Sequence, residues 1–246
     1  MSLHSDIRKE GIVSAVRDHD STSATPTLWL RNCPRQPRAA VVTLHGGRAD
    51  GYQTSRPWHL AALRMRPVLR AAASALPLDD VVLAHVRYRH RGWNRNDPLI
   101  DTYRALGELP RIAGPVPVVL IGHSMGGRAA LRAASHPQVR GVLALAPWLP
   151  TGEPTAQLSG KTAVVVHGER DRVTSPRASA DYVRRARADR ARIGMIVIRK
   201  GDHAMARRSS LWHRTVATVV NELLHPEVPP RGLTAAGCSA TEPLPL

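Results

Sequence analysis

Six short runs of β-branched and aliphatic residues recur along the chain with amphipathic segments between them, and this alternation restricts the fold more than any other feature. The runs are AAVVTLHGG (residues 39–47), DVVLAHVRY (80–88), VPVVLIG (116–122), VRGVLALAP (139–147), KTAVVVHG (161–168) and RIGMIVIRKG (192–201). Most are apolar throughout instead of alternating, which is the pattern of strands covered on both faces. The intervening segments carry helix signals. DPLIDTYRALGEL offers Asp97 as N-cap and Pro98 at the first helical position, and Ser175 with Pro176 repeats the device. SSLWHRTVATVVNELL lays Leu211, Val216, Val219, Val220 and Leu223 along one stripe. Residues 55–76 are helical in pattern but carry Pro67, where a kink or break is expected.

Strand–helix alternation of this kind gives an α/β fold: a doubly wound, mostly parallel sheet with helices on both faces. Ahead of it, EGIVSAVRD and TPTLWLRN read as two strands of an antiparallel hairpin at one edge of the sheet. One domain is expected over residues 1–225. After His225 the chain turns rich in Pro and small residues without an amphipathic pattern, so residues 226–246 are expected to be a disordered tail.

The run at 116–122 ends in an unusual way. Gly122-His123-Ser124-Met125-Gly126 fits G-x-S-x-G, after an apolar strand and before a helical segment, the setting a nucleophile elbow needs. There a tight turn presents a serine hydroxyl at the carboxyl edge of the sheet. A serine alone is a weak nucleophile; it needs a base, an acid to orient that base, and donors for the oxyanion. Other strand ends supply candidates in the expected order. Asp171 follows the fifth run and His203 the sixth, while His45-Gly46-Gly47 closes the first. Glu169 lies two residues before Asp171 in the same loop, and the H-G-x-x-D spacing and the helix start at Ser175 favour Asp171. His213 and His225 fall in the last helical pattern, Asp202 reads as a turn residue, and His45 and His123 read as hydrogen-bonding loop residues.

Four motifs in order, the H-G-G loop, G-H-S-M-G-G, H-G-x-x-D-x-V and G-x-H, resemble those of the α/β-hydrolase superfamily, in particular its small cap-less esterase and dienelactone-hydrolase-like members. The resemblance implies Ser124 as nucleophile, His203 as general base and Asp171 as orienting acid. It implies an oxyanion hole from the backbone N–H groups of Met125 and Gly47, with Gly46 as the lesser candidate. The expected activity is a serine hydrolase that cleaves a carboxylic ester of a small molecule through an acyl-enzyme, without cofactor. The same triad also suits thioester, amide or peptide bonds, or perhydrolysis, and a non-catalytic binding protein on this fold is the alternative from another class.

The link after the fourth run, WLPTGEPTAQLSG, is too short for a helical cap domain, so an open site is expected. Its walls would be the loops at 48–57 and 88–97, where arginines interleave with Tyr88, Trp93 and Trp58, and Arg48, Trp93 and Trp148 are candidate substrate-lining residues. Such a rim suits a substrate with a carboxylate or phosphate beside its ester; the plainer reading is solvated arginine. Net charge is +16, with arginine supplying 32 of the 35 basic residues. These are spread along the chain, which argues for compositional bias over a specific nucleic-acid partner. No H-x-H, H-E-x-x-H or Cys/His cluster points to a metal, and two cysteines are too few for a disulfide framework. No stretch has the length of a bilayer span, and the first residues lack an apolar signal core, so a cytoplasmic protein is expected. The sequence leaves oligomeric state open.

Overall fold

The computed structural model describes residues 27–226 and 231–246. Eight strands form one sheet: β1 (Leu28–Asn32), β2 (Ala39–Leu44), β3 (Val81–Val86), β4 (Val118–His123), β5 (Val139–Leu145), β6 (Thr162–Gly168), β7 (Arg192–Ile198) and β8 (Leu244–Pro245). Their order across the sheet is β1-β3-β2-β4-β5-β6-β7-β8, and every pairing is parallel except β1 with β3. All six apolar runs are strands of this sheet, each covered on both faces. On one face the even-numbered residues of β4, Val118 and Leu120, pack with α3 (Asp97–Ala113), α4 (Met125–Arg132) and α5 (Pro176–Ala188). On the other, Val119 and Ile121 pack with α2 (Met65–Ala73) and α6 (Ser209–Leu224), around the fully buried Trp212. Burying a side chain the size of Leu120 contributes about 2 kcal/mol, and dozens of such residues line the two faces.

Some boundaries differ from expectation for physical reasons. Helix α3 starts one residue early: Asn96, in the left-handed region at φ 73°, is the N-cap, and Asp97 is the first helical residue. The Asp97 carboxylate instead accepts from Asn94 Nδ2 at 2.8 Å and meets His90 Nδ1 at 2.8 Å. The break expected near Pro67 falls at Arg64, between α1 (Leu60–Leu63) and α2. Pro67 then occupies the first turn of α2, where no backbone N–H is required of it. Ser175 caps α5 as expected, accepting from Ala178 N at 3.2 Å.

Two larger differences concern the ends. Strand β1 is the second strand of the expected edge hairpin, while the first, at residues 10–18, lies outside the described residues. The tail expected to be disordered is structured over residues 232–239, which form α7 (Gly232–Ser239), and at β8. Its order comes from distant partners, not from its own pattern. Both carboxylate oxygens of Glu222 accept from the first amides of α7, Leu233 N at 2.9 Å and Thr234 N at 2.7 Å. Arg187 donates to Gly237 O and Ala240 O, and β8 adds to the edge of β7.

Candidate active site

The site sits where β2, β4, β6 and β7 end. Ser124 links β4 to α4 with φ 55° and ψ −118°, a conformation an L-residue holds only when its surroundings impose it. What imposes it is close packing on either side. A methyl on Gly122 would overlap the Gly126 carbonyl, and one on Gly126 would lie 2.6 Å from His45 O. The serine backbone is held by Ser124 N donating to Leu145 O at 3.0 Å, while Trp148 N donates to Ser124 O at 3.1 Å. Ser124 itself is 9% exposed.

The loop after β6 presents Asp171, and the loop after β7 presents His203. His203 Nδ1 donates to Asp171 Oδ2 at 2.8 Å. The Asp171 carboxylate has an unusually full set of donors. Val173 N at 2.7 Å and Thr174 N at 2.9 Å bind Oδ1, while Thr174 Oγ1 at 2.9 Å and His167 Nε2 at 3.2 Å reach Oδ2. Burial alone would raise its pKa, but the hydrogen bonds from His167, His203, Thr174 and Val173 outweigh it and hold the carboxyl well below the ordinary carboxylate range. Glu169 points elsewhere and accepts from Lys200 N at 2.8 Å. Asp202 is a turn residue, as expected, accepting from Arg207 N.

His123 connects the two halves. Its Nε2 donates to the His203 carbonyl at 2.9 Å, and the two rings are 4.8 Å apart between centroids. Burial, with the neighbouring His203, lowers the His123 pKa to about 3, so the ring is neutral and acts as a strut under His203. His45 plays a similar part for the loop after β2. Its Nδ1 donates to Gly46 O at 2.7 Å and its Nε2 accepts from Ser55 Oγ at 3.2 Å, with burial lowering its pKa to about 4. Gly46 and Gly47 lie against the elbow: a methyl on Gly46 would stand 3.3 Å from Ser124 Cβ, and one on Gly47 would lie 2.6 Å from Met125 Sδ. Among the described residues no hydrogen bond engages the backbone amides of Gly46, Gly47 or Met125, and none joins Ser124 Oγ to His203.

The loops at 48–55 and 89–93 are laced together by Arg48 N to Arg91 O, Trp93 N to Arg48 O and Ser55 N to Arg89 O. Arg48 is exposed on this ribbon. Trp93 is 5% exposed; its ring faces the Arg128 guanidinium at 3.9 Å, with Trp148 on the same guanidinium at 4.8 Å. Arg128 in turn pairs with buried Glu153 at 2.7 Å. Both tryptophans thus serve as packing for the helix that carries the elbow. His167 and Thr174, partners of Asp171, carry no motif; their only signal in the sequence is position, near the end of a strand and just before a helix cap.

Buried neutral histidines make the fold sensitive to acid. His85, bonded to Thr43 inside the sheet, has its pKa lowered to about 4 by burial and by Arg31, and His45 shares that value. The unfolded chain takes up these protons first, so stability is complete above pH 6.5 and falls as the pH drops toward 4. Each such histidine contributes on the order of 3 kcal/mol to that fall. The melting temperature is expected to decline through this window, and less steeply in His85→Gln, which keeps a partner for Thr43 but cannot protonate there.

An alpha/beta hydrolase domain model matches residues 84–224, more than half of the chain. The chain belongs to the α/β hydrolases. This α/β hydrolase is accordingly a hydrolytic enzyme. No curated protein matches it by sequence. Among solved structures it is similar to Est1E from Butyrivibrio proteoclasticus with ferulic acid bound, at 13% identity and TM-score 0.59, over 80% of this chain and 94% of that one. It is similar to XC6422 from Xanthomonas campestris, described as an α/β serine hydrolase without lid, at 20% identity and TM-score 0.57, over 81% and 90%. Est2 from Thermogutta terrifontis, an esterase with propionate bound, aligns at 18% identity and TM-score 0.59, over 80% and 88%. Likewise, the link between β5 and β6 in this hydrolase contains only a short 3-10 turn, Ala156–Leu158, and no cap. Among the described residues no helix is long and apolar enough to cross a membrane.

Proposed function

We propose that this hydrolase cleaves carboxylic esters of small molecules through an acyl-enzyme on Ser124. The observation that carries the reading is the Asp171–His203 hydrogen bond, with the His203 backbone braced by His123, the residue before the strained Ser124. His203 Nδ1–H stays on Asp171, leaving Nε2 to take the Ser124 proton as Oγ attacks the carbonyl. The charge that develops on the substrate oxygen meets the amides of Met125, at the N-terminus of α4, and of Gly47, in the loop after β2, each worth on the order of 3 kcal/mol. His203 then returns the proton to the leaving alcohol, and a water attacks the acyl group by the same route. The missing Ser124–His203 hydrogen bond is one that tightens when substrate binds. Est2, similar in fold, is an esterase by description, which favours an ester over an amide. A small-molecule acyl substrate fits a site without a cap, and the reaction draws on no cofactor.

The test is reaction with a fluorophosphonate. One equivalent is expected on the intact chain, with the added mass on the peptide that carries Ser124. A folded protein that stays unlabelled, or is labelled elsewhere, would sink the reading.

A further inference from the structure

Beside the loop ribbon, where β1 meets the turn into α1, a surface groove of about 560 Å³ runs between Trp29 and Trp58. That volume suits one small organic molecule. Trp58 is 64% exposed, a large indole left in water. Arg56 lies over the Trp58 ring at 5.6 Å and Arg87 over the Trp29 ring at 5.7 Å, both within cation–π range. Two further arginines on the groove share one carboxylate partner: Asp101 takes Arg89 Nε at 2.6 Å and Arg104 Nη1 at 3.5 Å. Arg56 and Arg87 have no carboxylate partner among the described residues.

We propose that this groove binds a planar aromatic acid, with its ring on an exposed indole and its carboxylate on Arg56 and Arg87. Each half of the ligand answers one feature. A guanidinium fork matches a carboxylate in geometry and charge, and a flat ring gains from the indole face what an aliphatic chain does not. Two arginines without a carboxylate partner among the described residues call for a small anion. A nucleic-acid strand needs a continuous cationic track, and on this groove Arg89 and Arg104 are already engaged by Asp101. Ser55 on the groove wall holds His45, the neighbour of Gly46, so the ligand sits one hydrogen bond from the loop proposed to carry the oxyanion donors. The inference does not depend on chemistry at Ser124 and is tested by binding alone.

The experiment is calorimetric titration of the full chain at about 150 mM salt with 2-naphthoate, neutral 2-naphthalenemethanol and non-aromatic cyclohexanecarboxylate. Naphthoate is expected to bind at least about tenfold tighter than either analogue. Arg56→Gln/Arg87→Gln loses about tenfold or more of that affinity with an unchanged melting temperature, Trp58→Leu loses a few-fold, and Ser124→Ala binds as wild type. Equal affinity for the neutral alcohol, an affinity indifferent to the arginine pair, or no binding at millimolar concentration would overturn the proposal. So would weakening by Ser124→Ala, which would put the acid at the nucleophile. Tighter, Trp58-dependent binding of a twelve-nucleotide thymidine strand would assign the groove to nucleic acid instead.

Discussion

Ester hydrolysis is expected to fall by on the order of 10⁶-fold in kcat for Ser124→Ala and by about 10⁴-fold for Asp171→Asn, with both proteins folded. The first removes the nucleophile outright. The second acts through a proton. Val173 N and Thr174 N both donate to Asp171 Oδ1, so an asparagine keeps its carbonyl there and turns its amide N–H₂ toward His203. His203 Nδ1 must then accept, the ring proton moves to Nε2, and the nitrogen facing the serine can no longer act as a base. Steady-state kinetics on a short-chain p-nitrophenyl ester reads both, and Glu169→Gln is the control, expected within about twofold of wild type because its carboxylate serves Lys200 N. An Asp171→Asn enzyme with more than a tenth of wild-type kcat would remove Asp171 from the mechanism.

Gly122→Ala is expected to cost on the order of 4 kcal/mol, a large share of the stability of an ordinary domain. The new methyl would overlap backbone, not a side chain that can rotate: the Gly126 carbonyl on one side and Gly127 N at 2.6 Å on the other. Relief requires moving α4 off β4 or changing the Ser124 φ, and both are fixed by the packing of Met125, Ala129 and Ala130 into the core. Gly107, inside α3 with open space around its missing methyl, makes the contrast; there alanine is expected to stabilise by about 1 kcal/mol or less. Urea denaturation of the two variants measures the difference. Similar midpoints would mean that the elbow is not as tightly packed as these contacts indicate.

The central strands were legible because each is buried on both faces, which forces an apolar run that no helix or loop here imitates. Ser124, Asp171 and His203 were legible because strand ends and glycine spacing mark them. What stayed hidden depends on partners far along the chain. Helix α7 has no stripe of its own; it is capped by Glu222 and packs its small residues on Gly194 of β7, where a methyl would lie 2.5 Å from Cys238 N. Trp93 looked like a pocket wall because its loop is near the site, yet Arg128, four residues past the serine, takes its ring. Nor does anything local mark Trp29 and Trp58 as neighbours, since the chain between them passes through β2.

Strand β8 is only two residues long, yet it occupies the open edge of β7, pairing Leu244 with Ile196 and Pro245 with Val197. Leu246 N and O complete the cover through Val197 O and Arg199 N, both at 2.9 Å. An uncovered parallel edge offers a row of unpaired amides and carbonyls to any extended chain. The brief strand therefore works as a guard against self-association: its proline supplies no donor to a further strand, so the sheet cannot grow past it from molecule to molecule.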